Sequence, residues 1–224
     1  MLTAYTGATT IRTTVAIEGK TLGCLTIPTG GNVTIRKSRI TGPCFYGVDM
    51  EGGTLLIEDS EINCTNGKGT GIAWANFTAR RVYIHDCENA LEMGANSLVE
   101  DSYLVCREGD SSAHGDGIQS QGGNNVTIRR NTIFGHGTSA IITNPTLNHG
   151  WLVEENLMGG GSYTIYCPEQ GTNFTVRNNR FVPIKIPGEQ SSAAYGLTDA
   201  CNHSGIIWSG NYRDNDGSVV SNTA

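Results

Sequence analysis

The strongest constraint on this chain is a nine-residue block that recurs eight times along its 224 residues. Positions two, four and nine of the block are mostly apolar, as in a strand that is followed by a bend and a second short strand. Consecutive blocks start between 20 and 31 residues apart. A constant block with variable spacing predicts fixed strands joined by loops of different length. The blocks begin at Asn32, Thr54, Asn76, Asn96, Asn125, Gly150, Asn173 and Ser204.

Position seven of the block is polar, although it falls at the predicted bend. It is asparagine in three consecutive blocks, as Asn131, Asn156 and Asn179. An amide that points inwards at a bend can hydrogen-bond to the neighbouring coil and satisfy buried backbone groups. The sequence therefore predicts an asparagine ladder along the bend.

The charged residues at positions five and six alternate in sign from block to block. Position five reads Arg36, Glu58, Arg80, Glu100, Arg129, Glu154 and Arg177, and position six begins Lys37, Asp59, Arg81, Asp101 and Arg130. In a parallel, in-register stack, neighbouring side chains lie about 4.8 Å apart. Alternation then places opposite charges side by side, whereas a uniform column would repel itself. This pattern favours stacked coils and assigns most charged residues to the scaffold.

These features predict an all-β fold, namely a single-stranded right-handed parallel β-helix, or solenoid, of about eight to nine coils. One domain is expected over residues 1–224. Within it we predict an N-terminal coil or cap over 1–24, regular coils over 25–212 and a polar tail over 213–224.

Seven cysteines are spread along the chain. Cys24, Cys44 and Cys64 follow one another at intervals of 20 residues, so stacked coils bring them close together. Two interpretations stay open, buried thiols that fill the core or disulfides, and the odd count leaves at least one cysteine outside any pair within the chain. We predict a Cys167–Cys201 disulfide between adjacent coils. Disulfides are typical of secreted proteins, so we expect an extracellular location.

A second strand precedes each block, and its third residue is predicted to face outwards. This column reads Asp49, Ala73, Glu92, Gln119, Ile142, Tyr166 and Thr198, with no alternation of charge. The longest loops, 106–117 and 182–196, precede this strand, and loops stacked on one side of a solenoid tend to form its binding surface. The predicted substrate-binding residues are Asp49, Trp74, Glu92, Gln119 and Tyr163.

The most polar stretch of the chain runs from Arg107 to Gln119. It contains a cation, three carboxylates and His114, and the next coil adds His136. Histidine titrates near neutrality, and carboxylates can pair with it in acid–base chemistry. The alternative is a polar loop made of turn-forming residues. The predicted catalytic residues are His114, Asp116, Arg107, His136 and Tyr166.

Over nearly its whole length the chain resembles the pectin-lyase-like superfamily of right-handed parallel β-helix proteins. The run His114-Gly115-Asp116-Gly117-Ile118-Gln119, followed by Asn125-Val126-Thr127-Ile128-Arg129-Arg130-Asn131-Thr132-Ile133, is similar to an uncharacterised subgroup of secreted and phage-borne bacterial proteins. The superfamily includes polysaccharide lyases, glycoside hydrolases, epimerases, phage tailspikes and non-catalytic binding proteins. The resemblance therefore implies a fold and not one function.

The resemblance to polygalacturonases is incomplete. Those enzymes carry an Asp-Gly-Ile run, which Asp116-Gly117-Ile118 matches, and an Asp-Asp pair one coil later. Here the position of the pair holds Thr138-Ser139. Inverting hydrolysis needs two carboxyl groups as acid and base, so we do not expect a polygalacturonase-type hydrolase.

The resemblance to lyases implies β-elimination on an acidic, uronate-containing polysaccharide. This reaction needs a neutralised carboxylate, a base for the neighbouring carbon proton and an acid for the leaving oxygen. Arg107 or His114 is the expected base, and Tyr163 or Tyr166 the expected acid. Calcium is the one cofactor that the resemblance implies, held through oxygen ligands. The expected calcium ligands are Asp110, Asp116 and Glu92.

Other functions stay open beside a lyase. One is a non-catalytic module that binds a polysaccharide, or the receptor-binding β-helix of a phage tail, and another is a purely structural stack. We expect a polysaccharide partner and a monomer, or a virion-associated trimer if the protein derives from a phage. The net charge of −6 without a basic block argues against nucleic acid, and no run of 18 apolar residues suggests a membrane span.

Overall fold

Each regular coil of the chain contributes one strand to each of three parallel sheets. This architecture is seen in a computed structural model that describes residues 1–65, 68–106, 114–143, 148–183 and 192–223, with only the backbone described at 192 and 193. Every pairing between strands of these ranges is parallel, from one coil to the next. The predicted parallel β-helix is confirmed. No helix in the same ranges is long and apolar enough to cross a membrane.

Sheet 1 contains the first strand of each block and has nine strands. They are Thr14–Glu18, Asn32–Arg36, Thr54–Glu58, Phe77–Arg80, Ser97–Glu100, Gly123–Arg129, Asn148–Glu154, Phe174–Arg177 and Ile206–Ser209. The first of them lies within the segment predicted as an N-terminal coil or cap, and it pairs in register with the second. Nine stacked strands agree with the predicted number of coils.

Sheets 2 and 3 contain the other seventeen strands of the described residues and are joined through Leu157–Tyr166. The first half of that strand pairs in sheet 2 and the second half in sheet 3. The remaining strands of sheet 2 are Thr3–Ala4, Lys20–Leu22, Arg39–Thr41, Glu61–Asn63, Tyr83–Cys87, Tyr103–Cys106, Thr132–Gly135, Arg180–Val182 and Tyr212–Arg213. Those of sheet 3 are Leu25–Thr26, Tyr46–Met50, Thr70–Trp74, Asn89–Met93, Asp116–Ser120, Ser139–Ile142 and Ser192–Asp199.

The core lies between the three sheets and is filled by the inward positions of the block. Val33 and Ile35, at positions two and four, are fully buried, and Ile40 at position nine is 1% exposed. Alternate residues of a strand face the same side, so the apolar pattern packs each coil against the next. Larger rings stack in the same way, with the centroids of Trp151 and Phe174 5.7 Å apart.

The bend between sheets 1 and 2 depends on two positions of the block. Position six adopts the left-handed backbone conformation, with φ of 46° at Lys37 and 54° at Arg130. Position seven then points inwards, and the predicted asparagine ladder is confirmed. The backbone N–H of Asn131 donates to Oδ1 of Asn156 at 2.9 Å, and that of Asn156 donates to Oδ1 of Asn179 at 3.0 Å.

The last block begins one residue later than predicted, at Gly205 and not at Ser204. Trp208 therefore packs against the core, whereas Ile207, the predicted inward residue, is 55% exposed. The shift also extends the ladder, because Asn211 accepts the backbone N–H of the previous member at 3.0 Å. The residue before Asn211 is a glycine with φ of 63°, which takes the left-handed position six without strain.

The predicted charge columns on sheet 1 are confirmed. Glu58 binds Nε of Arg36 at 2.9 Å. Glu100 lies between two arginines, with Nε of Arg80 at 2.5 Å and Nε of Arg129 at 2.6 Å. Each pair joins neighbouring coils, so these charges stabilise the stack as the alternation predicts.

Three disulfides join neighbouring coils, namely Cys24–Cys44, Cys64–Cys87 and Cys167–Cys201. The predicted Cys167–Cys201 pair is confirmed. Of the two interpretations left open for the early cysteines, disulfides are the one observed. The seventh cysteine, Cys106, is buried and stands outside these three pairs.

Candidate functional site

The outward surface of sheet 3, called here the sheet-3 face, carries the predicted mixed column. In-register pairing stacks Asp49, Ala73, Glu92, Gln119, Ile142, Tyr166 and Asp199. The prediction of Thr198 for the last position was wrong, because Thr198 is 2% exposed and pairs with Ile165. A register shift between Gly161 and Tyr163 moves the outward position to Asp199.

Hydrogen bonds between neighbouring coils hold the polar groups of the sheet-3 face. The Thr70 hydroxyl and the Gln121 amide donate to the Glu92 carboxylate, at 2.8 and 3.2 Å. The Asn89 amide donates to Oε1 of Gln119 at 3.1 Å. Because each group is bonded to the next coil, the face presents acceptors and amides in fixed positions.

Asp116 lies at the start of its strand and is 1% exposed. Its Oδ1 accepts the Ser139 hydroxyl at 2.5 Å, and its backbone N–H donates to Oδ1 of Asn89 at 3.1 Å. Burial raises the pKa of Asp116 to about 7, against the lowering effect of the hydrogen bonds from Ser139, and the charge of Glu88 adds to the rise. A buried carboxyl that titrates near neutrality is typical of functional sites.

Glycines on both sides of Asp116 allow the next coil to approach its backbone. A Cβ at Gly115 would lie 2.3 Å from the carbonyl oxygen of His136, and one at Gly117 would lie 2.7 Å from that of Ala140. A side chain at either position would collide with backbone. The glycines in the run from 114 to 117 are therefore needed to place Asp116 against the following coil.

The two predicted catalytic histidines lie close to Asp116 along the chain or across the stack. His114 is exposed and precedes Asp116 by two residues. His136 is 8% exposed, and its backbone N–H lies 3.0 Å from the carbonyl oxygen of Gly115 and 2.9 Å from Sγ of Cys106. The structure therefore brings the backbone of His136 beside the residue that precedes Asp116.

Three tyrosines, called here the rear cluster, lie beyond Asp116 on the sheet-3 face. The ring centroid of Tyr163 is 5.2 Å from that of Tyr166 and 5.9 Å from that of Tyr195. Burial raises the pKa of Tyr166, and the charges of Asp199 and Asp116 add to the rise. Tyr166 therefore stays protonated at neutral pH and can donate its phenolic proton.

Three other aromatic residues, called here the front cluster, lie on the same face before Asp116. The ring of Tyr46 contacts Phe45 with centroids 4.7 Å apart and Trp74 with centroids 5.7 Å apart. Asp49 lies next to them. Burial and the charge of Glu51 raise the pKa of Asp49, although a hydrogen bond from Trp74 lowers it.

The sequence analysis did not name Phe45, Tyr46 and Tyr195 of this face, nor the fully buried Ser139 that donates to Asp116. Two of them share one position, since Tyr46 and Ser139 each precede the glycine or alanine near the start of the second strand. In the coil of Tyr195 the equivalent position is held by Gly196, because Thr198 pairs with Ile165. Asp116 holds the same position in its own coil, and it pairs in register with Ser139. A column drawn through this position of the second strand would have found Tyr46 and Ser139.

Comparison with protein families agrees with the architecture. A family model described as a right-handed beta helix region matches residues 23–215. The chain belongs to this right-handed β-helix family. Its parallel strands also fit the pectin-lyase-like superfamily that the sequence resembles. No curated protein matches the chain.

The described carboxylates of this β-helix do not by themselves fit a calcium ion. No cluster of three or more His, Cys, Asp or Glu that could hold a metal is found within the described ranges. Glu92 already accepts two hydrogen bonds, and Asp116 accepts one and has a raised pKa, whereas calcium prefers ionised oxygen ligands. The third predicted ligand, Asp110, and the predicted catalytic Arg107 lie outside the described residues. Calcium binding stays a prediction that depends on Asp110.

Proposed function

We propose that this β-helix binds an acidic, uronate-containing polysaccharide along the sheet-3 face and cleaves it by β-elimination beside Asp116 and Tyr166. The observation that supports this most is the Asp116 carboxyl, which is buried at the start of its strand and held by Ser139, beside a face of polar and aromatic side chains. A carboxyl whose pKa is raised by burial, beside a face that can hold a ligand, is a candidate for a functional site.

The proposed acid is the phenol of Tyr166. A base removes the proton from the carbon beside the uronate carboxylate, and that electron pair forms the new carbon–carbon double bond. The bond to the leaving oxygen breaks, and Tyr166 gives its proton to that oxygen and later regains one from solvent. The pKa of Tyr166 is raised by burial and by the charges of Asp199 and Asp116, so the proton is in place before the reaction.

The proposed base is the imidazole of His114, which is exposed two residues before Asp116. Imidazole accepts a proton near neutral pH, as this step requires. Asp116 is too buried to serve as the base, and its proposed role is to position its strand against the following coil. The sequence analysis gives Arg107 as the alternative base, and it leaves neutralisation of the uronate carboxylate to calcium.

An extracellular or virion-associated location is part of the same proposal. Three disulfides are consistent with an oxidising compartment, because cytosolic thiols are kept reduced. The expected assembly is a monomer, or a trimer in a phage tail. Neither nucleic acid nor a membrane is an expected partner.

A second candidate function is binding of the polysaccharide without cleavage, as in a carbohydrate-binding module or a phage receptor-binding protein. The fixed hydrogen bonds of Glu92 and Gln119 favour it, because preorganised polar groups bind a ligand with little loss of entropy. This candidate shares the face and the partner with the lyase and differs from it in yielding no product.

The test is an assay of alginate, pectate, glucuronan and glycosaminoglycans for the ultraviolet absorbance of an unsaturated sugar. We expect Tyr166→Phe to lower kcat by about 100-fold or more, since it removes only the acidic hydroxyl. The matched control is Tyr103→Phe, at an exposed tyrosine of sheet 2, which should leave the rate unchanged. Saturable binding in calorimetry without an increase in absorbance would favour the second candidate. Absence of both binding and absorbance would exclude both candidates.

A further inference from the structure

The front cluster of Phe45, Tyr46 and Trp74 has no part in the proposed elimination, and its rings are inclined steeply to one another. The ring of Phe45 stands at 78° to that of Tyr46, with centroids 4.7 Å apart, and the ring of Trp74 stands at 69° to that of Tyr46, with centroids 5.7 Å apart. Such rings present their negative faces in different directions, as the walls of a cage do. Phe45 is 75% exposed and Trp74 is 36% exposed, so a ligand can reach the cluster from solvent.

Trp74 is held in a strained backbone conformation. Its φ is 83°, in the left-handed region that bulky residues rarely adopt. Its carbonyl oxygen accepts the backbone N–H of Gly94 at 2.7 Å, and a Cβ at Gly94 would lie 3.3 Å from the same oxygen. Backbone strain persists only where the surrounding structure enforces it, and it is commonly found where a ligand is held. The indole ring of Trp74 is therefore fixed in place at a cost in stability.

Carboxyl groups lie close to these rings. Asp49 accepts a hydrogen bond from Trp74, while its Oδ1 is buried and has no hydrogen-bond partner among the described residues. Burial raises the pKa of Tyr46, and the charges of Glu92 and Asp49 add to the rise. Burial also raises the pKa of Asp49, with a further contribution from the charge of Glu51. A buried carboxylate oxygen without a donor is costly, and a positive charge beside it offsets that cost.

A methylated ammonium group fits this combination of ring faces and carboxylates. The faces of aromatic rings attract cations, and aromatic cages are the sites that recognise quaternary ammonium ligands. Calcium instead takes about six to eight oxygen ligands, which three aromatic rings do not provide. Phe45 directly follows Cys44, whose disulfide to Cys24 restricts the backbone on which the ring stands. A restricted site loses less entropy when a ligand binds, so the cluster is preorganised.

We propose that the front cluster and Asp49 form a binding site for a methylated ammonium cation, such as the head group of choline. The strand Thr70–Trp74 pairs with Asn89–Met93, which pairs with the strand of Asp116. Two steps of the sheet are roughly 10 Å, so the site stands apart from the proposed cleavage. It adds to the sheet-3 face a second ligand of a different chemical class, and it does not depend on whether a polysaccharide is cleaved.

The test measures binding of choline to the whole protein by calorimetry and by proton magnetic resonance, at constant ionic strength. We expect a Kd of about 1 mM or lower, and an upfield shift of the choline methyl resonance, because ring currents act on a group enclosed by aromatic rings. The neutral alcohol in which a tert-butyl group replaces the trimethylammonium group should bind about tenfold more weakly, since it has the same shape without the charge. Glycine betaine should also bind more weakly than choline, because Asp49 and Glu92 repel its carboxylate.

Phe45→Leu and Asp49→Asn should each raise the Kd for choline by about tenfold, because the first removes a ring and the second a charge. Phe45 is so exposed that its replacement does not threaten the fold. The matched control is Tyr212→Leu, at an exposed tyrosine of sheet 2, which should leave the Kd unchanged. Absence of choline binding, equal affinity for the neutral alcohol, displacement of choline by an equal concentration of calcium, or a Kd unchanged by Phe45→Leu would each overturn the site.

Discussion

Sheets 1 and 3 belong to the same stack, but the pKa values of their carboxyl groups shift in opposite directions. On sheet 1 acidic side chains pair with basic side chains of the neighbouring coils, as Glu100 does with Arg80 and Arg129. Burial works to raise the pKa of Glu100, yet the hydrogen bonds from these arginines lower it overall. On sheet 3 burial prevails, and the pKa values of Asp49 and Asp116 are raised.

The difference separates scaffold from candidate site. A face whose charges pair with one another gains stability from each coil that is added, and it leaves few charged groups to bind a ligand. A face that keeps carboxyls without a counter-charge loses stability at neutral pH, and such a loss is commonly found where function requires it. Substitutions on the two faces should therefore have opposite signatures with pH.

The largest expected effect is on sheet 3, for Asp116→Asn. The pKa of Asp116 is about 7 when folded and its ordinary value is 3.8, so between pH 4 and 7 the folded state keeps a proton that the unfolded state releases. The free energy of unfolding from this group therefore falls as the pH rises, by up to about 4 kcal/mol. Asparagine retains the acceptor for Ser139 and cannot titrate, so the variant should lack this loss.

Urea unfolding of both proteins at several pH values measures the difference. The wild type should gain stability relative to Asp116→Asn as the pH falls from 7 to 4. Parallel curves would show that Asp116 titrates at an ordinary pKa, and the contrast between the two faces would then fail at its strongest point.

The sequence predicted the fold well because a solenoid repeats its information. Each block is a separate record of the same strand, bend and charge column, and eight blocks agree where one would be ambiguous. The prediction slipped only in the last coil, where Ile207 and Thr198 were assigned to the wrong sides. The other assignments relied on aligning each coil with its neighbours. In the last coil this alignment fails, because a long segment precedes the strand Ser192–Asp199 and the register changes.

The site was less predictable than the fold, because it depends on contacts between coils. The sequence places Asp116 in a polar run, but its burial follows from the approach of the next coil over Gly115 and Gly117. Phe45 and Tyr195 lie outside the repeated nine-residue block, so the repeat does not predict their exposure. In the sequence, the residues of the site therefore appear as isolated polar or aromatic residues. Only the stacking of the coils in the structure shows which of them are neighbours.

The second largest effect is expected on sheet 1, for Glu100→Gln. Glu100 is 5% exposed and binds Arg80, Arg129 and Arg130 at 2.5, 2.6 and 3.0 Å. Loss of a buried pair costs about 3–5 kcal/mol, but these arginines are more than a third exposed, so we expect about 2 kcal/mol.

The pH signature of Glu100→Gln should be the reverse of that for Asp116→Asn. The pKa of Glu100 is lowered on folding, so its contribution is full above pH 4.5 and is lost as the pH falls through the folded pKa. Urea unfolding should show wild type and variant converging in acid. Cleavage or binding of polysaccharide should be unchanged, and a loss of activity without loss of stability would move Glu100 from the scaffold to the site.

The smallest effect is expected at position six of the same coil, for Asp101→Asn. Its carboxylate binds Arg130 through two hydrogen bonds, at 2.8 and 3.0 Å, but its side chain is 39% exposed. Asparagine tolerates the φ of 53° found here, so the substitution tests the charge and not the backbone. We expect a loss of about 0.5 kcal/mol that shrinks further at high salt, because water and ions screen exposed pairs. Asp101→Asn could instead cost as much stability as Glu100→Gln at every salt concentration. Burial would then not explain why charges at position five of the block stabilise the fold more than those at position six.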